Sequence, residues 1–166
     1  MSDPVPQTQA WTKFDRRYED TNVQDLWDLW ATKDGFESWW GPQGFRGEVQ
    51  RMDSRTGGEL VYDMIAYAPE QVAALKQMNL PLAHTARGIF EIVEPLKRLV
   101  MKEWIDFVPD VKPYTIRIEV EFFQEGSAAR MVISVEPHHS AEWTRLAKAG
   151  MDSQLSKLPG ALSTQR

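Results

Sequence analysis

At 166 residues, with 42% hydrophobic and 26% charged side chains, the chain has the length and balance of one globular domain with a substantial core. A formal net charge of −5, with Lys and Arg scattered rather than clustered, argues against a nucleic-acid surface. The absence of cysteine removes disulfides, thiolate nucleophiles and cysteine-based zinc sites.

Residues 1–9 read as a disordered polar lead-in, and Asp3, Pro4 and Pro6 interrupt any apolar stretch a signal peptide would need. No window approaches the roughly 18 apolar residues of a membrane span, so a cytoplasmic protein without membrane contact is the expectation. A first strand is read at Trp11–Glu19. Thr21-Asn22 then caps an amphipathic helix over Val23–Trp30, with Leu26, Trp27, Leu29 and Trp30 as its apolar face. Asp34-Gly35 is read as its end, and Phe36–Trp40 as a short helical turn stopped by Gly41-Pro42.

From Phe45 the period changes to two, which predicts strands at 45–53, 59–67, 84–94, 97–108, 114–124 and 128–136. The clearest alternates Ile116, Ile118, Val120 and Phe122 with Arg117, Glu119 and Glu121. Gln124-Glu125-Gly126-Ser127 is a hairpin turn leading into Met131, Ile133 and Val135. A helix is expected over Pro69–Met78, with Pro69 suited to its first turn. Pro109 and Pro113 bound a loop. Trp143, Leu146, Ala147, Gly150, Met151, Leu155 and Leu158 form an apolar stripe on a long helix, Ser140–Leu158, ended by Pro159-Gly160. A bent antiparallel sheet followed by such a helix offers its concave face to that stripe.

The motifs most specific to this chain are Trp39-Trp40-Gly41-Pro42-Gln43-Gly44-Phe45 and Asp53-Ser54-Arg55-Thr56-Gly57-Gly58. With a helix containing Leu29-Trp30 before them and a last helix opening at Trp143, they resemble the START-like (SRPBCC, helix-grip) superfamily. The resemblance is to proteins akin to the activator of heat-shock protein 90 ATPase, and it covers about residues 11–160. It implies an α+β fold in which about seven antiparallel strands wrap around a long C-terminal helix, with two short helices after the first strand. One domain is expected over residues 10–162. The inserted helix, about 69–78, and the Pro109–Pro113 loop are expected as lids at the mouth of an apolar cavity. The resemblance implies ligand binding, cyclase chemistry or assistance to a chaperone. The chaperone role of eukaryotic relatives also uses an additional N-terminal domain, which is not expected within these 166 residues.

The tryptophans Trp27, Trp30, Trp39 and Trp40 are expected to close one end of the core, with Trp40 facing the cavity. Asp53 and Arg55 are expected to pair locally around a glycine turn, which lacks the Lys-Ser/Thr of a phosphate loop. Glu103 is the single charge among Leu99, Met101, Ile105 and Phe107 on one strand face; either a slipped register or bulge turns it to solvent, or it is buried in a setting that raises a carboxyl pKa, with Arg87 as its candidate partner. Tyr62, beside Leu60 and Met64, offers a ligand one hydrogen bond. Met64, Met101, Met131 and Met151 are expected as ordinary core filling, with flexible cavity lining as the alternative. His138 and His139 point to opposite sides of an extended chain, so no metal site is expected, and no cofactor.

The leading expectation is a non-enzymatic module that binds a small hydrophobic molecule between sheet and helix. Its lining residues are Trp40, Tyr62, Phe90, Glu103, Phe122, Trp143 and Met151, and it is a monomer or homodimer. The alternatives are a cyclase- or hydrolase-type enzyme using Glu103, and an interaction module that stimulates a chaperone ATPase through the inserted helix around Val72 and Leu75.

Overall fold

Alternating residues from Phe45 onward form strands, and the helically spaced stretches on either side form helices. The computed structural model describes residues 10–165; the expected lead-in, residues 1–9, lies outside the described residues. The elements run β1 (Thr12–Tyr18), α1 (Val23–Ala31), α2 (Lys33–Glu37), β2 (Phe45–Met52), β3 (Glu59–Ala66) and α3 (Pro69–Gln77). They continue with β4 (Ala83–Glu94), β5 (Arg98–Ile105), β6 (Tyr114–Glu125), β7 (Ala128–Val135), α4 (Ala141–Leu155) and α5 (Leu158–Gln165).

The strands make one seven-stranded, curled antiparallel sheet in the order β1-β7-β6-β5-β4-β3-β2. Every neighbouring pair is consecutive in sequence except β1 with β7, which are registered from Thr12↔Val135 to Tyr18↔Ala129. The chain therefore passes from one edge of the sheet to the other through α1 and α2. Register shifts between Val49 and Arg51 and between Phe90 and Ile92 add the local twist that helps the sheet curl.

Asn22 caps α1 as expected, its side chain accepting from the Asp25 N–H at 2.9 Å. The break after α1 falls at Thr32, not at Asp34-Gly35. Thr32 ends α1 through its N–H to the Asp28 carbonyl and starts α2 by accepting from the Gly35 N–H at 3.1 Å. Gly35 sits inside α2 because a Cβ there would lie 2.0 Å from the Asp28 carbonyl oxygen. Gly58 is required for the same reason: its Cβ would lie 1.9 Å from the Asp53 carbonyl oxygen, and Arg55 Nε meets Asp53 at 2.7 Å beside it.

The C-terminal helix departs from expectation twice. Pro159-Gly160 does not end it; a short break separates α4 from α5, and Pro159 occupies the second position of α5, where a missing N–H is harmless. Leu158, Ala161 and Leu162 of α5 are buried against the core. The apolar stripe of α4 is also not buried along its length. Met151, Gln154 and Leu155 are buried, while Trp143, Ala147 and Gly150 are half-buried and Leu146 is 45% exposed.

Candidate functional site

The concave face of the sheet divides into a filled half and an open half. In the filled half, α1 and α2 bring Trp27, Trp30 and Phe36 onto Leu60, Phe90, Leu99, Met101, Phe122 and Met131, all in one core. Trp27 meets Phe122 edge-on at 5.3 Å, and Trp30 meets Trp39 edge-on at 5.0 Å. Trp40 stacks on Phe36 at 4.7 Å. In the open half, α4 stands over a cavity of about 380 Å³. Its floor is Phe14 of β1, Tyr62 and Met64 of β3, Ala86 of β4, Glu103 and Ile105 of β5, Ile116 and Ile118 of β6, and Val135 of β7. Its roof is Trp143, Ala147, Gly150, Met151 and Gln154, and Trp40 closes the side next to the filled core.

Five of the seven expected lining residues therefore border the cavity: Trp40, Tyr62, Glu103, Trp143 and Met151. Phe90 and Phe122 do not border it. They face the same side of the sheet but lie further along β4 and β6, where the helices α1 and α2 and their tryptophans cover that face. The same division places Met64 and Met151 at the cavity and Met101 and Met131 in the solid core. The expected lids are absent from the mouth: no residue of α3 or of the Pro109–Pro113 loop borders the cavity. Backbone bonds from Tyr67 and Ala68 to the Gly44 carbonyl tie the start of α3 to the tryptophan-rich turn instead. The exposed rim is formed by Phe107, 47% exposed, together with His84, which packs against it at 5.1 Å, and Leu146.

The tryptophan-rich turn is also the seat of α4. Gly41 adopts φ +101°, which a side chain would strain, and its buried N–H donates to Gln154 Oε1 at 2.9 Å. The Gln43 N–H donates to Ser153 Oγ at 2.8 Å, and Gln43 Nε2 to Ser156 Oγ at 2.9 Å. The motif thus anchors the C-terminal end of α4, and the helix from Trp143 to Gln154 spans the cavity.

A chain of hydrogen bonds runs from this turn into the cavity wall. Trp40 Nε1 donates to Tyr62 Oη at 3.0 Å, and Tyr62 Oη donates to Glu103 Oε1 at 3.2 Å. Tyr62 on β3 reaches Glu103 on β5 across the intervening β4 because β4 carries only Ala86 opposite Tyr62 and Gly88 opposite Glu103. Arg87, the expected partner, alternates to the other face of β4 and is exposed. Glu103 is surrounded by protein, and the part of it that stays accessible borders the cavity. Burial lifts its pKa from 4.5 to about 7, partly countered by the bond from Tyr62. Burial, and then the neighbouring carboxyl, hold the Tyr62 hydroxyl well above its ordinary value. The arrangement places a carboxyl that titrates near neutrality in a largely apolar wall.

A second polar cluster lies at the entry to α4. His138 Nδ1 and His139 Nδ1 both meet Tyr114 Oη, at 2.6 and 3.1 Å. The adjacent histidines were expected to diverge, but the chain is no longer extended after Val135, and both rings turn toward one phenol. A hydroxyl donates only one proton, so one imidazole nitrogen accepts and the other donates when both rings are neutral. Burial, followed by the proximity of His139, lowers the pKa of His138, which also borders the cavity. Among the described residues, no group of three or more His, Cys, Asp and Glu is placed to hold a metal ion. No helix among them is long and apolar enough to cross a membrane.

The curled sheet, the C-terminal helix over it and the cavity between them define a helix-grip protein of the START-like α+β class. The sequence profile of the Activator of Hsp90 ATPase homolog 1-like protein family matches residues 20–163, and the chain belongs to that family. Its fold is similar to the crystal structure of an AHSA1 protein from Silicibacter pomeroyi, with a TM-score of 0.71 at 16% identity, covering 93% of this chain and 100% of that one. It is also similar to a protein from Staphylococcus epidermidis, with a TM-score of 0.71 at 14% identity, covering 98% of this chain and 94% of that one. A protein from Arthrobacter aurescens matches with a TM-score of 0.67 at 20% identity, covering 92% of this chain and 86% of that one. At these identities the likeness establishes the fold alone. No curated protein matches the sequence.

Proposed function

We propose that this protein binds a small, largely apolar molecule in the cavity between the sheet and α4, with Glu103 and Tyr62 as its polar contacts. The observation that carries this reading is the cavity itself. Its volume of about 380 Å³ lies in the range of small-molecule sites, and apolar side chains dominate a wall in which few polar groups converge. Gly150 supplies the test. It lies on the cavity face of α4, and a Cβ there meets nothing within 4 Å, so a larger side chain enters open space. Gly150→Leu is expected to fold at least as stably as the parent, since Leu is the better helix former, while losing affinity for an apolar fluorescent probe titrated into the cavity. A folded Gly150→Leu variant that binds the probe undiminished overturns the assignment.

A second reading is favoured by Glu103. A carboxyl that takes up and releases a proton near pH 7, hydrogen-bonded to a phenol, is suited to general acid–base chemistry of the cyclase or hydrolase type. A chaperone-directed role, suggested by the family's description, would use α3, none of whose residues is buried. Stimulation of a purified chaperone ATPase, lost on replacing Val72 and Leu75, is the corresponding assay.

A further inference from the structure

The cavity wall holds one acidic group without a counter-charge. Glu103 makes no salt bridge among the described residues, and its hydrogen-bond partner is the Tyr62 hydroxyl, which uses only one of the several lone-pair positions of a carboxylate. The other ionisable groups at the cavity have partners away from Glu103 or are neutral. Lys148 on α4 meets Asp152 at 3.1 Å, a carboxylate it shares with Arg16, and Glu136, after β7, meets Arg117, which it shares with Glu91. His84 on β4 and His138, beyond β7, have pKa values lowered by burial, so both are neutral at and above pH 7. Tyr62 on β3 stays protonated. β6 contributes Ile116 and Ile118, which carry no charge.

Aromatic side chains line much of the same cavity. Trp40, Phe45, Tyr62, Phe107 and Trp143 all border the cavity. Ring faces attract cations, most strongly where water is excluded. An anionic ligand would meet Glu103 with no cation paired to it, whereas a ligand cation would complete an ion pair inside a low-dielectric wall.

We propose that the ligand of this cavity is a hydrophobic amine, whose protonated nitrogen pairs with the Glu103 carboxylate and whose apolar body fills the space beneath α4. This deepens the cavity-binding reading and rests on it. Binding converts a protonated Glu103 to a carboxylate facing an ammonium and releases the carboxyl proton to solvent. With the free acid titrating at about 7, affinity for the cation is expected to fall roughly thirty- to a hundred-fold between pH 8 and pH 5.

The experiment uses three probes of matched size and shape: phenylbutylamine, phenylbutanol and phenylbutyrate, titrated calorimetrically into the purified full chain at pH 5 and pH 8. The amine is expected to bind at least tenfold more tightly than the alcohol at pH 8, with the acid weakest, and proton release is expected to accompany amine binding near pH 7. Glu103→Gln is expected to remove the preference for the amine over the alcohol, and the pH profile of the unmodified protein provides an independent readout should that variant not fold. Equal binding of amine and alcohol at pH 8, or an amine preference that persists in folded Glu103→Gln, overturns the amine assignment while the cavity reading stands. Binding of none of the three overturns both.

Discussion

Replacement of Glu103 by Gln has an effect on stability whose sign reverses ordinary intuition about removing a buried polar contact. The folded protein holds the Glu103 carboxyl at about 7, against 4.5 for a free side chain. Between these values the folded state binds the proton more tightly than the unfolded state, so stability falls as pH rises through that interval. Above pH 7 the native protein carries an enclosed carboxylate, and the accumulated loss relative to acid pH is about 3 kcal/mol. That figure is an upper one, because the carboxyl remains partly accessible through the cavity. Gln preserves the shape and accepts the Tyr62 hydroxyl as the carboxylate does, without a charge. The variant should match the parent near pH 4 and exceed it increasingly, by up to about 3 kcal/mol at pH 8. Urea unfolding of both proteins at pH 4, 6 and 8 measures the gap. The subtraction cancels the histidines, whose lowered pKa values act in the opposite direction with pH. A gap that stays constant across this range would show that Glu103 titrates as an ordinary surface acid and would refute the reasoning.

The two ends of the concave face should respond unequally to truncation. Trp39→Ala, at a fully buried indole that donates to the Leu29 carbonyl at 2.8 Å, should cost about 3–5 kcal/mol, and Trp143→Ala, on the half-buried cavity roof, about 1–2 kcal/mol. Equal costs in chemical denaturation would mean that α4 seals against the sheet along its whole length. Tyr114→Phe removes the hydroxyl shared by His138 and His139 and should destabilise the fold by about 1–3 kcal/mol, because the buried His138 loses its 2.6 Å partner. Imidazole proton resonances followed by NMR should then show His138 titrating differently from the parent. An unchanged His138 titration curve would contradict the contact.

The strands were legible because two-residue alternation is a property of local sequence, and the Ile116–Phe122 face appears in β6 as read. Glu103 was legible as the single charge on an apolar face. Its partner was not, because the contact with Tyr62 crosses an entire strand and depends on Ala86 and Gly88 being small. Those two residues were the available signal, since small side chains facing inward on β4 leave room for neighbours to meet. Phe90 and Phe122 show a different limit. Periodicity says which face a residue occupies, but not which half of that face lies beneath α1 and which lies beneath the cavity. At Pro159-Gly160 a local stop signal gave way to burial of Leu158, Ala161 and Leu162, which draws the chain into a further helix. For His138-His139 the error was to assume an extended chain beyond the last strand.

The pairing of β1 with β7 constrains the order in which this protein can assemble. Thr12 meets Val135, so a strand near the start of the chain acquires its neighbour only after six others have been made. The hairpins from β2 to β7 are local and can form early, whereas the last seam of the sheet requires closing a loop that contains nearly all of them. Until then β7 presents an open edge to any extended segment nearby, including β1 of another molecule. Exchange of that strand between two copies would satisfy the same ladder. The crowded, nascent protein is therefore most exposed to mispairing in the interval just before Ala128–Val135 finds its own N-terminal strand.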